Sequence, residues 1–299
     1  MGPTATGKTD LAMRLCDSFP FEIVSVDSAM VYKGMDIGTA KPEQAILDKY
    51  PHYLVNIREP YQTYSAADFC QDVGKIAEEI FQRKKIPLLV GGTMLYFKAL
   101  QEGLSALPSA DPLIREKILN EAKVLGWQIL HEKLQKVDPA SALRIHPNDP
   151  QRIERALEVY YLTGKPLSEY FNQKEKVNFH YISLGLFPQD RVLLHQRIER
   201  RFKQMLEMGW IQEVKKLLES QQLDFVSPAM RMVGYRQIGD YLQGTTDEKT
   251  MIEKGIIATR QLAKRQMTWL RHWPDICLIE PFQNLIFEEL YEKINHLIS

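Results

Sequence analysis

The chain has 299 residues and balances 38 Lys+Arg against 38 Asp+Glu, so it carries no formal net charge and cannot coat nucleic acid by bulk charge; only a local basic patch remains open. At 44% hydrophobic and 25% charged it has the composition of a globular protein, long enough for one large domain or two ordinary ones. Cys16, Cys70 and Cys277 stand far apart, which excludes a disulfide framework and a structural zinc site, and no apolar run reaches the ~18 residues of a membrane span or forms a signal peptide, so a reduced, cytoplasmic protein is expected.

In chain order, the first hundred residues alternate β-rich apolar runs with helical patterns. Strands are expected over 21–26, 53–57 and 86–90, and a helix over 66–83. From Asp111 to about Asn178 the character changes. Three Asp-Pro pairs (Asp111-Pro112, Asp138-Pro139, Asp149-Pro150) each read as a helix start, because Asp accepts from free N–H groups and Pro suits the first helical position. Gly126 and Gly164 are the matching stops. A further strand is expected over 181–186, then long helices, then a short strand over 277–279. The fold class is therefore α/β: a core with a mostly parallel sheet, built from 1–110 and 179–299, plus an inserted all-helical subdomain at 111–178, and the G-x-x-x-x-G-K-T string at residues 2–9 makes that core P-loop NTPase-like.

Gly2, Pro3, Thr4, Ala5, Thr6, Gly7, Lys8 and Thr9 match G-x-x-x-x-G-K-[ST], a phosphate-binding loop. The glycines let backbone N–H groups point at a phosphate, the following helix adds its positive end, Lys8 supplies a cation, and the Thr9 hydroxyl reaches Mg²⁺. Such a loop ordinarily follows a buried strand, so an apolar strand upstream of residue 1 is expected to complete and stabilise the sheet.

The first strand runs into Asp27, where open α/β sheets bind ligands. A carboxylate there binds Mg²⁺, takes a proton from a nucleophile, or simply caps the next turn. The 86–90 strand ends in Gly91-Gly92-Thr93 where an NTPase often places a Walker-B Asp, which weakens a kinase or ATPase reading and points to a close approach of backbone or substrate. From Lys254 to Pro274 there is no acid. Arg260, Lys264 and Arg271 share one helical face, Ile256, Ala263, Met267 and Leu270 another, and Trp269 and Trp273 interleave, a pattern suited to RNA phosphates and unstacked bases. Arg231, Arg152 and Arg155 are further anion-binding candidates, and the seven histidines show no metal-ligand spacing.

Taken together, the strings at 2–9, 26–42, 89–96, 145–158, 230–237 and 259–271 resemble the bacterial tRNA dimethylallyltransferase (tRNA isopentenyltransferase) family over nearly the whole chain. The resemblance implies transfer of a dimethylallyl group from dimethylallyl diphosphate to N6 of the adenosine immediately 3′ of the anticodon of tRNA. It implies that residues 2–9 hold the donor's diphosphate with Mg²⁺ on Thr9, and that the helical insert clamps the anticodon stem-loop. The matching catalytic residues are Asp27 as base, Thr9, and Arg231 on the diphosphate. The matching tRNA contacts are Asp27, Ser28, Ala29, Met30, Thr93 and Arg115. They continue with Gln151, Arg152, Ile153, Glu154 and Arg155, then Arg231, Met232, Val233, Gly234, Tyr235 and Arg236. Lys264, Arg265, Gln266, Met267, Thr268, Trp269, Leu270 and Arg271 complete the set. A monomer with no membrane partner is expected. Two rival readings share the loop: a small-molecule kinase, and a non-catalytic tRNA-binding module.

Overall fold

The structure is a computed structural model and describes residues 1–171, 174–175, 179–220, 223–225 and 227–298. The chain divides into two compact units, Met1–Lys98 with Phe179–Ser299, and Ala99–Asn178.

In the first unit, α1 (Lys8–Ser18) follows the phosphate loop and leads to β1 (Phe21–Val26). Then come α2 (Gln44–Lys49), β2 (His52–Tyr53), α3 (Ala66–Gln82), β3 (Ile86–Gly91) and α4 (Met94–Glu102), whose residues from Ala99 on belong to the second unit. β1 is the centre of a parallel sheet of order β2-β1-β3, with Phe21 opposite Ile86 and Val26 opposite Gly91. Ser65 caps α3 and exchanges bonds with Asp68, while Phe69, Val73, Ala77 and Ile80 bury one face of it.

The strand expected over 53–57 is shorter. Pairing with β1 stops at Tyr53, and Leu54 and Asn56 take left-handed backbone (φ 64° and 57°). The chain then turns to follow the loop after β1, with the Asn56 N–H donating to Met30 O and the Ile57 N–H to Val31 O. Apolar alternation carries no information about residues that leave the extended region, and Asn is among the few that do so at low cost.

In the second unit β4 (Leu104–Ser105) pairs antiparallel with β5 (Lys174–Glu175), and the rest of the named structure is helical: α5 (Pro112–Leu125), α6 (Trp127–Val137), α7 (Pro139–Arg144) and α8 (Pro150–Thr163). The unit starts at Ala99 where the sequence pattern began the insert at 111, because the β4–β5 pairing takes in the preceding segment; residues 176–178 at its other end lie outside the described ones. Asp111, Asp138 and Asp149 each cap a helix whose first residue is Pro, accepting from backbone N–H groups two or three residues on. Gly126 and Gly164 end α5 and α8 at φ 82° and 71°. Ile118, Leu130, Leu134, Ile153 and Leu157 form the core. The fully buried Glu158 carboxylate is held by Arg115 Nε at 2.8 Å, Arg155 Nη1 at 2.5 Å and the Asp111 N–H at 2.9 Å. Burial alone would raise its pKa, but the bonds from Arg115, Arg155 and Asp111 outweigh it and the net shift is downward.

The first unit resumes with β6 (Ser183–Leu186), α9 (Arg191–Glu207), α10 (Trp210–Ser220), α11 (Tyr235–Leu242), α12 (Glu248–Arg271), β7 (Ile276–Ile279) and α13 (Ile286–Ile298). β6 and β7 pair in parallel, Ser183 opposite Ile276, each a little displaced from its expected bounds. Met1 adds to β6: its N–H donates to Leu184 O at 2.7 Å and its carbonyl accepts from Leu186 N–H at 2.9 Å. Leu11, Leu15, Phe19 and Phe21 pack with Leu186, Ile279, Leu290 and Ile294, so α1 is pinned to the sheet and α13 at the level of the phosphate loop. Among the described residues no helix is long and apolar enough to cross a membrane.

Candidate active site

Between Gly2 and Thr9 the backbone doubles back on itself. Ala5 (φ 65°) and Gly7 (φ 80°) are left-handed, which turns successive amides toward one concave face, and α1 begins at Lys8 so that its free N–H groups join them. The loop is braced from three sides. Thr6 Oγ and Lys8 Nζ both donate to Pro3 O (2.9 and 2.6 Å), Arg197 Nε donates to Ala5 O (2.9 Å), and the Thr4 N–H donates to Gln266 Oε1 (3.0 Å). Burial and the nearby Arg201 charge push the Lys8 ammonium down to about 8, with Asp27 opposing them.

A cavity of about 720 Å³ opens on this loop. It is lined by residues 4–10 of the loop and α1, by Asp27, Ser28, Ala29 and Met30 at the end of β1, by Thr93, and by Arg201, Arg231, Arg265 and Trp269. Asp27 Oδ1 accepts the Ala29 and Met30 N–H groups at 2.8 and 3.3 Å, so this carboxylate does cap the turn that follows the strand. No bond to Oδ2 occurs among the described residues, and that oxygen stays available in the cavity. The Ser28 N–H donates to Thr93 Oγ1 at 3.0 Å, tying the ends of β1 and β3 together. Close packing within the protein accounts for the glycines that end β3: a β-carbon on Gly91 would collide with Val26 O, and one on Gly92 with the Gln266 amide.

Arg201 is the residue that sequence reasoning missed. It reaches the cavity from α9, partly buried; burial lowers its pKa, and Asp27 and Asp10 counter that. Arg197 and Arg201 lie one turn apart, so both face the loop, and that spacing was the available signal. Arg231, the arginine expected on the diphosphate, is exposed on a short 3-10 turn at the cavity's edge. His52, one of the seven histidines without metal-ligand spacing, also lines the cavity. Its Nδ1 meets Tyr50 O at 2.6 Å, its Nε2 is buried without a partner among the described residues, and burial lowers its pKa.

The remaining expected contacts divide by burial. On α12, Lys264, Arg265, Thr268, Trp269 and Arg271 are exposed, whereas Met267 and Leu270 are core and offer no surface to a ligand. Gln266 is buried too, its carboxamide spent between Thr4 and Gly92. The acid-free stretch of α12 from Lys254 on is not wholly unpaired, since Glu199 of α9 reaches Arg260 at 3.0 Å. Met232, Val233 and the otherwise buried Tyr235 line the cavity and Arg236 is exposed, while Gly234 is buried. In the second unit Ile153 is fully buried, and Arg115 and Arg155 are committed to Glu158; Glu154 lies 3.5 Å from Arg115. Gln151 and Arg152 are exposed. Ile153, Met267 and Leu270 are therefore withdrawn as RNA contacts, because apolar periodicity placed them in the core.

The family described as IPP transferase matches residues 30–273. The tRNA dimethylallyltransferases of Legionella pneumophila strains Corby and Paris are 53% and 52% identical to the chain, over all of it and 96% of their own lengths. A crystal structure of the full-length tRNA isopentenylpyrophosphate transferase of Bacillus halodurans is 36% identical, with a TM-score of 0.70 over 99% of this chain and 93% of that one. A eukaryotic dimethylallyltransferase, described as acting on tRNA, is 30% identical with a TM-score of 0.82 over 100% of this chain and 78% of that one. With the phosphate loop, the glycine-ended β3 and the basic face of α12 in place, the chain belongs to the IPP transferase family.

Proposed function

We propose that the chain transfers a dimethylallyl group from dimethylallyl diphosphate to N6 of the adenosine immediately 3′ of the anticodon in tRNA, releasing diphosphate. It is a tRNA-modifying prenyl transferase, the activity for which its relatives are named. One observation carries the chemistry: the phosphate loop with Lys8 and Arg201, and the carboxylate of Asp27, line the same cavity.

The loop amides, Lys8 and Arg201 hold the diphosphate and take up its growing charge as the allylic C–O bond breaks and the electron pair leaves with oxygen. N6 attacks the allylic carbon, the new C–N bond forms, and the N6 proton passes to Asp27 at Oδ2. A carboxylate is a weak base for such an amine, so its usefulness lies in its position. The adenine must leave its stack to enter the cavity, at a cost of roughly a few kcal/mol. Exposed Trp269 and Arg265, which border the cavity, offer a stacking face and a phosphate partner.

Mg²⁺ fits this donor set. Such an ion keeps several waters and leans on one or two protein oxygens plus substrate phosphates, and the Thr9 hydroxyl on the first turn of α1 lines the cavity beside the loop. When bound it neutralises diphosphate charge. In the second unit, the exposed Gln151 and Arg152 are the candidate donors to the anticodon stem-loop.

The test is label transfer. The protein is incubated with Mg²⁺, unmodified tRNA and dimethylallyl diphosphate labelled in its allyl group, beside a reaction with γ-labelled ATP. Label entering tRNA only from the allylic donor supports the reading. Phosphate transfer from ATP, or tRNA binding without label, contradicts it.

A further inference from the structure

Two residues one turn apart on α10, Trp210 and Glu213, join two segments that both line the cavity. Glu213 Oε2 accepts the N–H groups of Asp36 at 2.8 Å and Ile37 at 2.7 Å; Oε1 accepts the Gly38 N–H at 3.2 Å and the Tyr235 hydroxyl at 2.7 Å. Three consecutive backbone N–H groups converging on one carboxylate make a fixed anion nest, here filled by a side chain of the protein itself. The fourth donor comes from α11, immediately after the turn that carries Arg231.

The indole of Trp210, 2% exposed, fills the space between the same two segments. A β-carbon on Gly38, or on Gly234, would fall inside its ring, and its edge meets Tyr235 with ring centroids 5.5 Å apart. Gly234 also needs its positive φ of 88°. At the other end of the 36–41 segment, Lys41 Nζ reaches Asp36 Oδ1 (2.5 Å), Asn56 Oδ1 (2.6 Å) and Tyr32 O (2.9 Å). The Lys41 ammonium thus folds back onto Asp36, whose N–H the Glu213 carboxylate accepts, so a cation and an anion hold the same part of the loop that follows Asp27. Neither Trp210 nor Glu213 contributes to the phosphate loop, and no part of the prenyl-transfer chemistry explains why a carboxylate should be spent on this backbone.

We propose that Glu213 and Trp210 are positioning residues for the transfer step: they lock the loop that carries Asp27 to the turn that carries Arg231. This inference rests on the prenyl-transfer reading above. Misplacing a reacting group by ~1 Å costs on the order of 10²-fold in rate, whereas diphosphate binding depends on a loop that the clamp does not touch.

The test uses the full chain at a temperature where circular dichroism shows each variant folded. Single-turnover transfer to tRNA is measured beside inorganic pyrophosphate binding by calorimetry. In Glu213→Gln the transfer rate should fall ~10-fold or more while pyrophosphate affinity stays within ~2-fold of the parent, a split that general loss of structure does not produce. Glu213→Asp, which keeps the charge, should recover part of the rate. Tyr235→Phe removes one donor only and should show a smaller fall of the same kind, so the test does not hinge on Glu213→Gln folding. A parental rate in the folded variants, or equal loss of rate and pyrophosphate binding, overturns the proposal. A parent protein that transfers nothing overturns the functional reading and this inference with it.

Discussion

The Gln266 carboxamide donates to the Gly92 carbonyl at 2.9 Å and, through its other atom, accepts the Thr4 N–H at 3.0 Å. One side chain of α12 thus bonds the end of β3 to the phosphate loop, and its two polar groups are matched to one backbone acceptor and one backbone donor. Gln266→Ala leaves both unmade in a buried setting, at about 1–3 kcal/mol. The variant should melt several degrees lower and bind pyrophosphate more weakly, read by calorimetry. Parental melting and binding would show that the bridge is incidental.

Lys8 makes donor binding depend on pH. Its ammonium is held down to about 8 by burial and by Arg201, so the free protein loses this cation as pH rises through that value. Pyrophosphate affinity should fall from pH 8 upward by up to tenfold per pH unit, and Lys8→Arg, which stays charged, should lose that segment of the profile. The linkage has the opposite sign for stability. The folded chain binds this proton less tightly than the unfolded one, so the group disfavours folding below pH 8 and the penalty is relieved between about 8 and the ordinary lysine value near 10.4. Parallel pH profiles for the two proteins would contradict the assignment.

Arg201, rather than Arg231, is expected to carry diphosphate affinity. It reaches the cavity partly buried and acts electrostatically on Lys8, with Asp27 acting on both, whereas Arg231 is exposed at the edge. A charge-assisted hydrogen bond is worth roughly 1.5–3 kcal/mol, so Arg201→Ala should weaken pyrophosphate binding about 10- to 100-fold. Arg231→Ala should weaken it far less. The reverse order in a calorimetric comparison would restore the sequence expectation.

Glu158 anchors the second unit. Arg115, Arg155 and the Asp111 N–H all converge on its fully buried carboxylate, so Glu158→Ala removes their shared acceptor; because both arginines are part-exposed and can turn to water, the cost should be about 1–3 kcal/mol. The folded pKa lies below the unfolded one. Its stabilisation is therefore complete above the ordinary Glu value near 4.3 and is lost as pH falls through the lower folded value. Denaturant melts of parent and variant at neutral and acid pH check this; the gap between them should narrow in acid, and a gap unchanged by pH would exclude the charge as its source.

Where the sequence was legible, the signal was local. The phosphate loop, the three Asp-Pro caps and the glycine stops each need only a few adjacent residues, and each formed where the pattern placed it. The apolar stripe of α12 was equally readable from its period. What was not legible depended on contacts distant in the chain. Arg201 meets the loop only because α9 packs there; Gln266 meets it across 262 residues; Glu213 finds Asp36 across 177. Arg115 and Arg155 read as RNA ligands because nothing in composition says that an arginine is already paired. The Arg155–Glu158 spacing of three did offer a hint.

Asp27 as the proton acceptor in N6 prenylation can be put to one experiment. Single-turnover transfer should be followed for the parent and Asp27→Ala, with the tRNA cut into fragments and each fragment weighed by mass spectrometry. The expected result is one added dimethylallyl group, on the adenosine 3′ of the anticodon, formed ~10²–10⁴-fold more slowly by the variant while tRNA affinity is unchanged. A group placed on another nucleotide, or a folded Asp27→Ala protein working at near the parental rate, would contradict it.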